Sequence, residues 1–146
     1  MKTMYKHILV GLDGSKASEK AFNHAVDVTL EQKDAQLILA HVVDTRNFSA
    51  YDWYVTMAEQ AQEYGDSLLN EFENRARELG ISNVKKVLQL GSPKVTLAKS
   101  IAPEVHADLI VCGATGMNVI DRAFIGSVSE HTARYAKCDV HIVRND

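Results

Sequence analysis

Long apolar runs, paired cysteines, proline-rich linkers and an excess of either charge are all missing from this chain of 146 residues. No apolar stretch approaches the length of a membrane span, and Ile8-Leu9-Val10 near the start is too short for a signal-peptide core, so a cytoplasmic protein is expected. The two cysteines, Cys112 and Cys138, match no metal-binding or redox spacing and read as buried free thiols. Six histidines are scattered without a metal-ligand pattern. Sixteen Lys and Arg stand against nineteen Asp and Glu, a net charge of −3, which gives no electrostatic case for nucleic acid or an anionic membrane. No repeat, low-complexity tract or linker breaks the chain, so one domain over residues 1–146 is expected, long enough to bury about two-thirds of its unfolded surface.

What remains is ordinary globular material, 46% apolar and 24% charged, arranged in alternating patterns. Continuous apolar runs at His7–Leu12, Gln36–Val43, Leu109–Gly113 and Val140–Val143, with a weaker run at Val84–Leu90, suit parallel strands covered on both faces. Between them Ser15 caps a helix to about Glu31, and Ala58–Leu79 carries a helical stripe that Gly80 stops. Ser92-Pro93 opens a third helix to about Ile101, and Ser127–Tyr135 forms the last. The order β-α-β-α-β-α-β-α-β predicts a doubly wound α/β fold, in which ligands sit beyond the carboxyl ends of the strands. The aromatic segment Thr45–Met57, with Phe48, Tyr51, Trp53 and Tyr54, is expected to pack on the domain or a partner subunit; a lid over the ligand is the alternative.

One of those strand ends carries a distinctive pattern. After Leu109–Cys112 come Gly113, two intervening residues, Gly116, nine further residues, and then Gly126-Ser127-Val128-Ser129 opening a helix. Glycine lets backbone approach a ligand, and the free amides of a helix N-terminus favour an anion, with the Ser127 and Ser129 hydroxyls as extra donors. Taken singly, Gly113 and Gly116 read as a turn and Gly126-Ser127 as a cap; their joint placement at a ligand end favours phosphate. The chain has neither a P-loop nor a dinucleotide fingerprint, since Gly11-Leu12-Asp13-Gly14-Ser15 lacks the third glycine.

The pattern Gly113-x2-Gly116-x9-Gly126-Ser127 resembles the ATP-binding signature of the universal stress protein (UspA-like) family. The opening Lys6-His7-Ile8-Leu9-Val10-Gly11-Leu12-Asp13-Gly14-Ser15, His41-Val42-Val43-Asp44 and Gly91-Ser92-Pro93 are similar as well, so the likeness spans nearly the whole chain. It implies a Rossmann-like, five-stranded parallel sheet of order 3-2-1-4-5 with helices on both faces. It implies ATP as the cofactor: Asp13, beside Leu12, near the ribose and phosphates and as a possible indirect Mg²⁺ ligand; Val42 reading the adenine edge through its backbone; and Gly113, Gly116, Gly126, Ser127, Val128 and Ser129 holding ribose and phosphates. It also implies a homodimer through the last strand, 139–144, although Asp139 stands where relatives carry proline and His141 interrupts the apolar run.

Binding is not hydrolysis, which needs an oriented water and a charge clamp on the γ-phosphate. Asp13 is the one plausible metal ligand and Arg122 the nearest cation, next to Asp121; no general base is evident. The expected function is therefore a nucleotide-dependent sensor or regulator in stress response, read by an unknown protein partner. The alternative is a weak ATPase or another ATP-using enzyme of the same superfamily, against which the lack of a Ser-Gly-Gly-x-Asp-Ser loop after the first strand counts.

Overall fold

The computed structural model describes residues 4–45, 53–115 and 125–144. Five strands, β1 (His7–Gly11), β2 (Gln36–Asp44), β3 (Val84–Gly91), β4 (Leu109–Gly113) and β5 (Asp139–Val143), form one parallel sheet in the order β3-β2-β1-β4-β5. The continuous apolar runs explain the arrangement: strands with no polar face must be covered twice. Leu37 and Leu39 of β2 turn to one face, Ile38 and Ala40 to the other, and each set joins a separate core. On the first face α1 (Lys16–Glu31) packs over Ile8 and Val10 of β1 and Leu109 and Val111 of β4, and α2 (Trp53–Glu78) over β2 and β3. Phe22 and Phe72 meet there edge to face, with ring centroids 4.8 Å apart. On the second face lie α3 (Pro93–Thr96), a π-helical segment (Leu97–Ile101), the short α4 (Ala102–Glu104) and α5 (Ser127–Tyr135).

Two boundaries and one cap differ from the sequence reading. The second helix begins at Trp53, not Ala58, so the end of the aromatic segment is helical, while Phe48 and Tyr51 fall outside the described residues. The third helix passes Ile101 and runs to Glu104, because the π segment changes register without breaking the backbone ladder. Ser92 holds the cap position, but its side chain makes no capping bond; Pro93 at the first helical position sets the start. Ser15, by contrast, caps α1 through its hydroxyl, which accepts from the Ser18 amide at 3.1 Å. At the end of α2 the Gly80 amide donates to Arg77 and the Ile81 amide to Ala76, a Schellman closure with Gly80 at φ 105°.

Both cysteines are free thiols; Cys112 is buried as the sequence implied, whereas Cys138 is half-buried. Burial pushes the Cys112 thiol up to about 12, so it stays protonated and unreactive near neutrality.

Candidate functional site

The chain winds from β1 outward through β2 to β3, then returns to β4 and moves outward to β5. The order reverses between β1 and β4, and the carboxyl ends of those two strands flank the crevice where such sheets bind ligands. Two loops meet there.

The first is Leu12–Ser15. The Leu12 amide donates to the Ala40 carbonyl at 2.8 Å, the last ladder bond before the chain turns. The Leu12 carbonyl lies 2.7 Å from His41 Nδ1; a carbonyl only accepts, so Nδ1 carries the proton. Asp13 is exposed, and its Oδ1 accepts from the Ser15 amide at 2.8 Å, an Asx turn that leads into the helix cap. Its own amide donates to the Ser18 hydroxyl at 3.3 Å. One carboxylate oxygen thus serves the turn, and Oδ2 has no hydrogen-bond partner among the described residues. The Tyr64 hydroxyl, from α2, occupies the place a Gly14 Cβ would need, so this turn is covered from the helical side.

Val42 lies across from that turn on β2. Ala40 bonds towards β1, and strand alternation sends the Val42 amide and carbonyl the same way, past the point where β1 has ended. Its side chain is half-buried against the second core.

The second loop leaves β4 at Gly113 and returns at Gly126. A Cβ on Gly113 would stand 2.7 Å from the Ala17 carbonyl oxygen, so this glycine admits the first turn of α1 against the end of β4. The Ala114 carbonyl accepts from the Gly126 amide at 2.6 Å and from the Ser129 hydroxyl at 3.0 Å, which clasps the two ends of the loop. The Gly126 amide and the Ser129 hydroxyl, read from sequence as ligand donors, are therefore already engaged in the protein. The amides of Ser127, Val128 and Ser129 form the first turn of α5, whose N-cap Gly126 supplies no side-chain bond. Gly116 lies outside the described residues, as do Asp121 and Arg122. Among the described residues no cluster of three or more His, Cys, Asp or Glu could cage a metal.

Three contacts had no sequence signal, because each joins distant parts of the chain. His41 holds the Leu12 carbonyl. Tyr5 donates to Asp139 at 2.7 Å, a bond that, ahead of burial and the nearby carboxylates, lifts its phenol to about 12. His141, read as an interruption of the edge strand, faces inward, its Nδ1 3.0 Å from His24 Nε2.

These features define a Rossmann-like α/β protein whose switch-point crevice is bordered by an acidic turn on one strand and an uncapped helix start beyond the next. The sequence profile of the Universal stress protein family matches residues 4–144, and the chain belongs to that family. A universal stress protein homologue of Staphylococcus saprophyticus is 42% identical over 143 residues, spanning 97% of this chain and 85% of that one. The solved UspA from Lactobacillus plantarum superposes with a TM-score of 0.84 at 27% identity, covering 98% and 100% of the two chains. A universal stress protein solved in complex with cAMP gives 0.74, also at 27% identity, covering 99% and 100%. No described helix is long and apolar enough to cross a membrane.

Proposed function

We propose that this protein binds ATP in the switch-point crevice and acts as a nucleotide-dependent sensor or regulator in stress response. The observation that carries this reading is the uncapped first turn of α5, clasped through Ala114 beside the strand end that faces the Asp13 turn. Three backbone amides and the positive end of a nine-residue helix suit phosphate oxygens. Asp13 Oδ2 suits a ribose hydroxyl or a Mg²⁺ carried in on the phosphates, and the Val42 backbone suits an adenine edge. Gly113 and Gly126 would contribute through the shape of the loop, and Leu12 through the position of Asp13. A family relative solved with cAMP supports a nucleotide as the ligand class.

The reading extends to one nucleotide-binding domain in the cytoplasm, where ATP is abundant, a homodimer formed through 139–144, and a protein partner that reads the ATP-bound surface. Hydrolysis is expected to be weak or absent, because no described group stands as a general base for water at Asp13. Multiple-turnover ADP release that disappears in Asp13→Ala would establish the ATPase alternative instead.

The test is to denature freshly purified protein and chromatograph what it releases, then to titrate the emptied protein with Mg-ATP by calorimetry. Near-stoichiometric ATP, or saturable heat, is expected. Gly126→Val should abolish either signal without unfolding the chain, since Gly126 has φ −64° and ψ 161°, which valine also adopts. No released nucleotide and no heat with the wild type would end the proposal.

A further inference from the structure

The outer face of α5 borders a second concavity. Ser127, Glu130 and His131, and Arg134 and Tyr135 recur at three- and four-residue spacing, opposite to the buried Ser129 and Thr132. With Lys94 and Lys99 from the facing helical stretch they line a cavity of about 390 Å³.

Its charge is one-sided. Lys94, Lys99 and Arg134 are cationic, and the one lining carboxylate, Glu130, already pairs with Arg134 at 3.1 Å. No described carboxylate pairs with Lys94 or Lys99. Lys99 instead lies over the Tyr135 ring, its ammonium 4.3 Å from the centroid. Lys99 lies within the π segment, an insertion of a kind that is rare and concentrates at functional positions. His131 adds an unusual feature: its Nδ1 is fully covered and has no hydrogen-bond partner. Burial, then Lys99, Lys94 and Arg134, push its imidazole below the ordinary histidine value. An acidic chain has thus gathered three cations around an imidazole with one carboxylate among them, an arrangement that an anion would relieve.

We propose that this cavity is a second anion site, distinct from the nucleotide crevice, that takes a phosphate oxyanion carrying more than one negative charge. Lys94, Lys99 and Arg134 supply the charge, and the Arg134 guanidinium supplies paired donors once it releases Glu130. The Ser127 hydroxyl stands at the rim, where the cavity approaches the α5 N-terminus. The recognised chemistry is shared by inorganic polyphosphate and by the phosphate tail of a nucleotide.

The experiment uses the full chain, isotopically labelled, titrated with inorganic tripolyphosphate and followed by NMR at His131, Lys99 and Tyr135, with and without saturating Mg-ATP. Saturable shifts at these three residues in both conditions are expected, with affinity falling as ionic strength rises and the His131 imidazole titrating at higher pH once the anion is bound. The exposed pair Lys99→Gln/Arg134→Gln should weaken binding at least tenfold, as should Lys99→Gln alone to a smaller degree, while Asp13→Ala should leave it unchanged. If the shifts vanish when ATP is present, and Asp13→Ala removes them while the double variant does not, tripolyphosphate sits in the nucleotide crevice and the second site is refuted, with the proposed ATP function intact. No saturable shift at His131 at millimolar tripolyphosphate refutes it as well.

Discussion

At the scale of single residues, several positions do two things at once. Gly113 illustrates this. Glycine after a strand suggests a ligand approaching the backbone, yet the atom nearest to its missing Cβ is the Ala17 carbonyl oxygen at 2.7 Å. Helix α1 enters the site end of the sheet only because β4 ends on a residue without a side chain. Gly113→Ala should therefore destabilise the fold by about 1–3 kcal/mol, through backbone that has to move. Urea denaturation reads this directly, and an unchanged midpoint would return Gly113 to a purely ligand-facing role. His141 offers a second residue-level prediction. Burial, then the His24 imidazole, holds it below the ordinary value, against an upward pull from Asp139; the other neighbour is the Tyr5 ring, 6.1 Å away edge to face. As pH falls, the unfolded chain takes up this proton before the native state does. The stability contribution is then complete above an ordinary histidine value of about 6.5 and declines as pH drops from there towards the lower native value. His131 contributes with the same sign. His141→Leu should accordingly lose less stability than the wild type between about pH 7.5 and about pH 5.5. Parallel thermal melts across that range check it, and identical slopes would show that the His24–His141 pair has no linkage to folding.

At the scale of elements, the chain announces its helices by their ends. Gly80 is the clearest case: its φ of 105° lets the Gly80 and Ile81 amides reach back to Arg77 and Ala76, and Ile81 is then buried in the first core. Gly80→Ala should cost about 1–2 kcal/mol, the penalty for placing an L side chain at that dihedral. A melting temperature equal to wild type would mean that the closure contributes nothing. Such local signals made the five strands, the Ser15 cap and the bounds of α5 legible from sequence, because period and capping chemistry act within a few residues. The sheet order came from family resemblance, since no pattern within one strand says which neighbour it takes. What was missed depends on contacts across the fold. The π segment at Leu97–Ile101 has no composition of its own. The N-terminal turns of α2 lie in a stretch whose aromatic residues look like a loop or lid. At the site, Asp13, Val42 and the start of α5 were legible as strand ends and a helix start. The bonds of the Ser129 hydroxyl and the Gly126 amide to the Ala114 carbonyl were not legible, because that carbonyl lies on the far side of a loop.

At the scale of the whole molecule, the sheet has two edge strands, and the one proposed to take a second copy is β5. It pairs with β4 alone, and four of its five residues are half-buried in the single chain. The Ala114 amide donates to the Val143 carbonyl, so by strand alternation residues 139, 141 and 143 bond to β4. Residues 140 and 142 turn their amides and carbonyls outward. An open edge of this kind is a template for another strand, and none of the described residues of β5 is a proline that would blunt it. His141 does not spoil the edge either, because its ring faces α1 and not the outside. If two copies join along this edge, the outward amide of Ile142 is central to the seam. Ile142→Pro removes that amide while leaving the ladder to β4 intact, which is the setting in which an edge strand tolerates proline. Light scattering after gel filtration should then show a dimer for the wild type and a monomer for the variant, with Mg-ATP binding retained because the crevice lies at β1 and β4. A variant that remains dimeric with undiminished affinity between subunits would place the seam elsewhere. A monomer that also loses nucleotide would show that pairing at the edge orders the neighbouring end of β4, and so joins assembly to the site.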